Sequence, residues 1–473
     1  MRYPALDLLR GIAIVWVMLF HSFVVGGLGK DWEWLSRYGW MGVDLFFVLS
    51  GFLIGTQVLT PLSRGKPLDF TDFYLRRAFR ILPAFLVVLA IYMAWPGFRE
   101  SPGLAPWWMF LTFTLNLFID YGEQAAFSHA WSLCVEEHFY LVFPLLATLL
   151  LRRPSAARVV AVCVAVVVAG IALRTSVWLH NAALDQLGGG QQRNWFVEDL
   201  YYPTWNRLDG LLAGVVLAMV KVFRPRTWQW LQQRGNTWAL AGVATLALAM
   251  WLFRERTGLL GNAVGWPVLS LGLALLVLAG TATDSALGRR RVPGAAWLAA
   301  ISYSMYLTHK AMFHVTQGWF DATLEGRGVL AFAVYGVVAL AAGALLHYVV
   351  ERPFLQLRGA QPCAAMQNVR DAICSHPSHG QELKKSRAMR GFSILGRATR
   401  RSGMYGWRTA RAPPQPWLQC NASLRVARHL EPRKGLGHRH DFQAVDIQMR
   451  RQAGDIEDLF GDVFCRHRGG ATV

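Results

Sequence analysis

Two ionisable side chains interrupt an apolar run near the start of the chain, LLRGIAIVWVMLFHSFVV: Arg10 and His21. A charge held in hydrocarbon is costly, so intramembrane ionisable residues default to functional hypotheses. Eleven positions at 100° each leave the two about 20° apart around a helix and about 16 Å apart along it. An imidazole titrates near neutrality and can take or give a proton during a reaction. A guanidinium fork matches phosphate oxygens. Taken singly, Arg10 could be a snorkelling side chain and His21 an interhelical hydrogen bond. Their shared face favours a joint function.

Further polar groups gather near the level of His21. Asp44 lies a turn into GVDLFFVLSGFLIG, and Glu136 and Glu137 open the apolar part of HAWSLCVEEHFYLVFPLL. Ser132, Glu136 and Tyr140 form an i, i+4, i+8 stripe, whereas Glu137 shares its face with Leu133 and Leu141, so Glu136 is expected to point inward. Asn206, Arg207 and Asp209 begin another apolar run, and Tyr303, Tyr306 and His309 lie in SYSMYLTHK. A carboxylate beside His21 would fix its tautomer, and Asp44 or Glu136 could supply it. At the opposite level, FYLRRAFRILP carries Arg76, Arg77 and Arg80. These suit phosphate, although topological charge or lipid headgroups explain them as simply.

The elements that must position these residues are apolar runs of roughly 17–22 residues, each enough to cross a hydrocarbon core of about 30 Å. Only 16% of the 473 residues are charged, against about 25% in an ordinary soluble domain. Many of the 20 Trp lie near the ends of the runs, as interfacial anchors do. Eleven segments qualify: 8–26, 40–59, 80–97, 106–119, 132–151, 158–179, 205–223, 237–253, 264–281, 297–316 and 329–350. The fourth is too short and is expected to be re-entrant or interfacial. With 106–119 not crossing, one side of the membrane collects Arg64, Lys66, Arg76, Arg77, Arg80, Arg152, Arg153, Arg158, Lys221, Arg224, Arg226, Arg234, Arg289–Arg291, Arg352 and Arg358. The positive-inside bias then predicts ten crossings with both termini cytoplasmic. Met1–Leu9 lacks a Lys/Arg cluster and no cleavage site stands out, so the first span is expected to be retained.

The fold class expected is therefore all-α: a polytopic transmembrane bundle over 1–357, followed by a basic tail over 358–473. The tail holds 20 Lys and Arg against 9 Asp and Glu, shows no sustained periodicity, and is read as a cytoplasmic segment of low order. Net charge is +19, but its position in the tail and in short loops assigns it to topology, and no nucleic-acid motif is present. Four of six cysteines lie in the tail and none forms a CxxC pair, so neither a zinc site nor a disulfide framework is indicated.

Seven stretches together resemble the membrane acyltransferase-3 family of bacterial acyltransferases: LDLLRGIAIVWVMLFH, GVDLFFVLSGFLIG, FYLRRAFRILP, HAWSLCVEEHFYLVFPLL, RLDGLLAG, ISYSMYLTH and ERPF. They occur in the family's order and cover residues 6 to about 354. The resemblance implies a bacterial inner-membrane protein, acyl-CoA (acetyl-CoA above all) as donor with no metal, and transfer to a hydroxyl of a glycan or lipid-linked glycan of the envelope. It assigns the family's Arg-x10-His motif to Arg10 and His21, its RxxR motif to Arg77 and Arg80, and its WSLxxEE element to Trp131–Glu137. His138 departs from the family's frequent Gln. The tail has no GDS-type nucleophile motif, so the extracytoplasmic hydrolase-like domain of some members is expected to be absent.

The roles that follow are expectations. His21 is the general base, or alternatively a transiently acylated nucleophile, with Asp44, Glu136 and Glu137 as its acidic surroundings. Arg10, Arg77 and Arg80 hold the donor's phosphates. Trp131, Ser132, Arg207, Asp209, Tyr303 and His309 are candidates for substrate contact. One open passage should join Arg10 to His21. A different class remains open: a transporter or flippase whose intramembrane charges line a path, against which no internal repeat or paired broken helix is visible. A non-enzymatic scaffold held by its basic tail is a third.

Overall fold

The computed structural model describes residues 3–186, 193–324 and 327–357. The expected tail over 358–473, including Arg358 and four cysteines, lies outside the described residues.

Among the described residues, ten helices have 16 residues or more. They are α1 (Pro4–Phe20), α2 (Met41–Ser63), α3 (Phe70–Ala94), α4 (Trp131–Arg152), α5 (Ala156–Gln186), α6 (Leu208–Phe223), α7 (Gly235–Leu252), α8 (Trp266–Thr281), α9 (Ala295–Leu324) and α10 (Val329–Leu346). Eight helical stretches are long and apolar enough to cross a membrane, all but α6 and α9 contributing. No strand occurs among the described residues, only an isolated bridge between Leu104 and Ala126. Local chemistry sets several ends. Pro4 occupies the first turn of α1, where its missing N–H is no loss. The Asp69 carboxylate accepts from the Asp72 N–H at 2.9 Å and caps α3.

The 106–119 segment folds as two short helices, Trp107–Leu111 and Leu115–Phe118, with Phe113 between them at φ 54°. Five residues rise only about 7.5 Å, far less than a hydrocarbon core of about 30 Å.

Helix α2 is the hub: it packs on α6, α1, α8 and α4, while α9 packs on α10 and α1. The α2–α6 contact is close because glycines face it. A Cβ on Gly51 would lie 2.1 Å from the Leu211 carbonyl oxygen, and one on Gly214 would lie 2.2 Å from that of Val48. In lipid, where no hydrophobic drive joins helices, small residues let backbones approach and gain packing. The periphery carries the opposite surface. Leu141, Val142, Leu145 and Leu149 on α4, and Val160, Val164 and Val168 on α5, are exposed. Apolar faces of that extent belong against lipid.

Gly214→Ala is expected to lower the melting temperature of the detergent-solubilised protein by an amount equivalent to about 1–3 kcal/mol of overpacking. Gly336→Ala, where the nearest atom to a new Cβ is Met18 Cε at 4.0 Å, should leave it unchanged; equal melting of the two variants would contradict the close α2–α6 contact.

Candidate functional site

A cavity of about 360 Å³ opens between α1, α2, α3, α4 and α9. Arg10, Arg77 and Arg80 line it, with Glu136 as the one carboxylate in its wall. Ser50 donates to Glu136 Oε1 at 2.8 Å and the Tyr140 hydroxyl donates to Oε2 at 3.1 Å. Tyr303, whose hydroxyl donates to the Ile81 carbonyl oxygen at 2.8 Å, closes one side. A second cavity of about 490 Å³ shares Arg10, Leu53 and Arg80 with the first and adds Asp7, His347 and Glu351. Arg76, by contrast, pairs with Asp72 at 2.6 Å and lines neither cavity. Glu137 lines neither cavity, whereas Glu136 does.

At its other end the first cavity is walled by Ser132 and Tyr306, whose hydroxyls share a hydrogen bond of 2.6 Å. Behind them sit three imidazoles. His309 Nε2 lies 2.9 Å from His21 Nδ1. Ring centroids are 4.9 Å apart for His21 and His309, 5.1 Å for His129 and His309, and 6.3 Å for His21 and His129. The Tyr306 hydroxyl donates to the His129 carbonyl oxygen at 2.8 Å, and its ring lies against both His129 and His309. The open passage expected from Arg10 to His21 is thus corrected: Tyr306 stands between cavity and imidazoles, pinned by Ser132 and His129. Helix α1 also ends one residue earlier than a continuous Arg10–His21 face requires. His21 caps it and begins a 3-10 turn over His21–Val25.

His129 is delivered by the loop between α3 and α4. Phe127 adopts a left-handed backbone, φ 56°, a conformation that costs a non-glycine residue about 1–2 kcal/mol. It is held by aromatic stacking on Tyr92, with ring centroids 4.4 Å apart, and by an N–H bond to Glu100 Oε1 at 3.1 Å. Glu100 has a side chain only 3% exposed; it pairs with Lys310 Nζ at 3.0 Å, accepts from the Tyr92 hydroxyl at 2.9 Å, and lies 3.9 Å from His129 Nδ1. Burial pushes the Glu100 carboxyl up, but the Lys310 ammonium together with hydrogen bonds from the main chain, Lys310 and Tyr92 holds the group below the ordinary glutamate value. None of Glu100, His129 and Lys310 stood out in the sequence. Lys310 had the clearest signal, as a second polar residue after His309 inside an apolar run.

Several expected site residues have other occupations. Asp44 takes both oxygens to Arg207 Nη2, at 2.9 and 3.0 Å, so it is not the carboxylate of His21. Glu136 is held by Ser50 and Tyr140, and the group on His21 Nδ1 is another imidazole. Arg207 is sandwiched over Trp266 and Tyr201, its Cζ 3.7 and 4.6 Å from their ring centroids, with Trp131 at 5.3 Å. Asp209 pairs with fully buried Arg174 at 2.8 Å. Trp131 stacks on Tyr202 at 4.9 Å. Arg207, Asp209 and Trp131 line neither cavity; Arg207 is paired with Asp44, Asp209 with Arg174, and Trp131 packs on Tyr202 and Arg207. His138 donates to or accepts from Thr204 Oγ1 at 2.7 Å, which accounts for that titratable group as a helix tie.

Glu100→Gln leaves Lys310 an uncompensated buried ammonium and should cost about 3–5 kcal/mol, read as a large drop in melting temperature. Adding Lys310→Met should recover most of it. In the wild type the Glu100 contribution is present above the ordinary glutamate range and is lost as pH falls through the depressed value. A single variant that melts like wild type would contradict the pairing.

A family described as "Acyltransferase domain" matches residues 3–348. An O-acetyltransferase OatA of Staphylococcus aureus is 30% identical over 237 residues, 46% of this chain and 35% of the relative. A peptidoglycan O-acetyltransferase OatA of Listeria monocytogenes is 29% identical over 234 residues, 46% of this chain and 34% of the relative. The YrhL protein of Bacillus subtilis is 29% identical over 329 residues, 65% of this chain and 48% of the relative. The chain spans between about a third and half the length of these relatives. No solved structure matches it. The apolar helices and these relatives make it a multi-pass bacterial membrane protein. The match from residue 3 to 348 covers every one of the ten long helices, and on that ground the chain belongs to the membrane acyltransferase-3 family.

Proposed function

We propose that the protein is an O-acyltransferase that moves an acetyl group from cytoplasmic acetyl-CoA to a hydroxyl of an envelope glycan on the far side of the membrane. Peptidoglycan, the acceptor in the name of the Listeria relative, is the acceptor class tested first. The observation that carries the reading is the convergence of three guanidinium groups, Arg10, Arg77 and Arg80, on the wall of a single cavity. Guanidinium forks match phosphate oxygens, and a CoA thioester supplies phosphates. In the proposed orientation Arg10, Arg77 and Arg80 face the cytoplasm, and the N-terminus lies on that side.

In this reading the pantetheine arm extends from the arginines toward Ser132 and Tyr306, and reaches the imidazoles when the Tyr306 side chain rotates away. His21 takes the proton of the acceptor hydroxyl. The oxygen attacks the thioester carbonyl, the C–O bond forms, the C–S bond breaks, and the CoA sulfur leaves with the proton His21 has carried. Positioning and a general base are the protein's contributions. His21 as base, Glu136 as a cavity wall group and the direction of transfer are all part of this proposal.

The test is free-thiol release by protein reconstituted in lipid vesicles, with acetyl-CoA on one side and muropeptide or polymeric peptidoglycan as acceptor. Wild type should release CoA only when both are present. His21→Ala should lose about 10²–10⁴-fold in kcat. Arg80→Ala should raise KM for acetyl-CoA roughly 10–100-fold, the loss of one charge-assisted phosphate bond. Glycan movement without thiol release would instead identify a transporter.

A further inference from the structure

The geometry assigns His309 to set the tautomer of His21, leaving the basic lone pair on His21 Nε2. The inference rests on the acyl-transfer reading above and adds a positioning residue to it. His309 Nδ1 lies 2.9 Å from the main-chain carbonyl oxygen of Tyr306. A carbonyl oxygen only accepts, so Nδ1 of His309 carries the hydrogen. A neutral imidazole has one N–H, and its other nitrogen is an acceptor. That nitrogen, Nε2, faces His21 Nδ1 at 2.9 Å. The hydrogen of this contact therefore belongs to His21 Nδ1, and the lone pair of His21 stands on the opposite edge of its ring.

This is the relation a buried carboxylate has to a catalytic histidine, with an imidazole nitrogen in the carboxylate's place. His309 is well placed to hold it. It is fully buried on α9, and its ring packs on Tyr306 and edge-on to Phe313, with centroids 5.8 and 6.0 Å away. The carboxylate nearest the cluster, Glu100, is committed to Lys310, Tyr92 and the Phe127 N–H. Among the described residues, the hydrogen-bonding contact of His309 Nε2 is His21 Nδ1. The ring of His21 is itself flanked by Phe20 and Phe23, at 5.1 and 5.9 Å between centroids. A charged His309 would donate through both nitrogens, leave His21 protonated on Nε2, and remove the base.

Magic-angle-spinning 15N NMR of histidine-labelled protein in lipid, with His21→Asn as the difference reference, reads the tautomer directly. His21 should show a protonated Nδ1 and an unprotonated Nε2 in wild type. A protonated Nε2 overturns the inference whatever the enzyme does. In the thiol-release assay His309→Leu should lower kcat roughly 10–100-fold with KM for acetyl-CoA unchanged. His309→Gln, whose amide oxygen can accept from His21 Nδ1–H, should recover at least half of that loss on a logarithmic scale. Equal kcat for His309→Leu and wild type overturns the inference, as does His309→Gln no better than His309→Leu when both elute as folded protein. A wild type that releases no thiol overturns the acyl-transfer reading instead, and the NMR result then stands alone on the tautomer.

Discussion

Every charge taken out of water in this bundle needs an answer, and the answers organise the structure. Arg207 is answered by Asp44, Arg174 by Asp209 and Lys310 by Glu100. Each pair ties segments distant in the chain: α2 to the start of α6, α5 to α6, and α9 to the loop after α3. In a low dielectric an ion pair with one partner missing is far worse than none, so the pairing enforces a particular set of helix neighbours. Three further arginines, Arg10, Arg77 and Arg80, converge on the wall of the first cavity, where Arg10 lies 3.9 Å from Asp7.

The Arg207 pair shows how such a strut is completed. Only Nη2 of the guanidinium meets Asp44; Nε and Nη1 have no hydrogen-bond partner and lie against the rings of Trp266, Tyr201 and Trp131. Aromatic faces stabilise a desolvated cation electrostatically. Trp131, in the sequence element that carries Ser132 and Glu136, thus serves the frame while its neighbours serve the cavity. The two duties fall on different faces of one helix, because residues four apart share a face and adjacent residues do not.

The imidazole cluster depends on a loop rather than on the spans alone. His21 comes from the end of α1 and His309 from α9, but His129 arrives through the segment that turns at Phe127 and is clamped by Glu100. Tyr306 then joins the two compartments, touching the cavity with its hydroxyl and two imidazoles with its ring. The reading of the site as an acyl-transfer centre makes that side chain the point at which donor and base meet.

Much of the frame was legible in one dimension. Apolar runs of the right length, broken by polar turns, determine where the long helices form, and the shorter run over 106–119 folds as two short helices. The i, i+4, i+8 stripe puts Glu136 on one face with Ser132 and Tyr140, and these three line the first cavity while Glu137 lines neither. Intramembrane ionisable residues draw attention to Arg10, His21 and His309, and charge at the ends of apolar runs to Arg77, Arg80 and Arg207, because cost per residue is a local property. What the sequence could not contain is which charge meets which. Asp44 goes to Arg207, 163 positions away, and His21 to His309, 288 positions away. Glu100 and His129 look like ordinary loop residues until the loop folds over the cluster. Partner choice is decided by helix packing at glycine-lined contacts and by the closure of that loop. Both are interactions between distant segments, and only the assembled bundle supplies them.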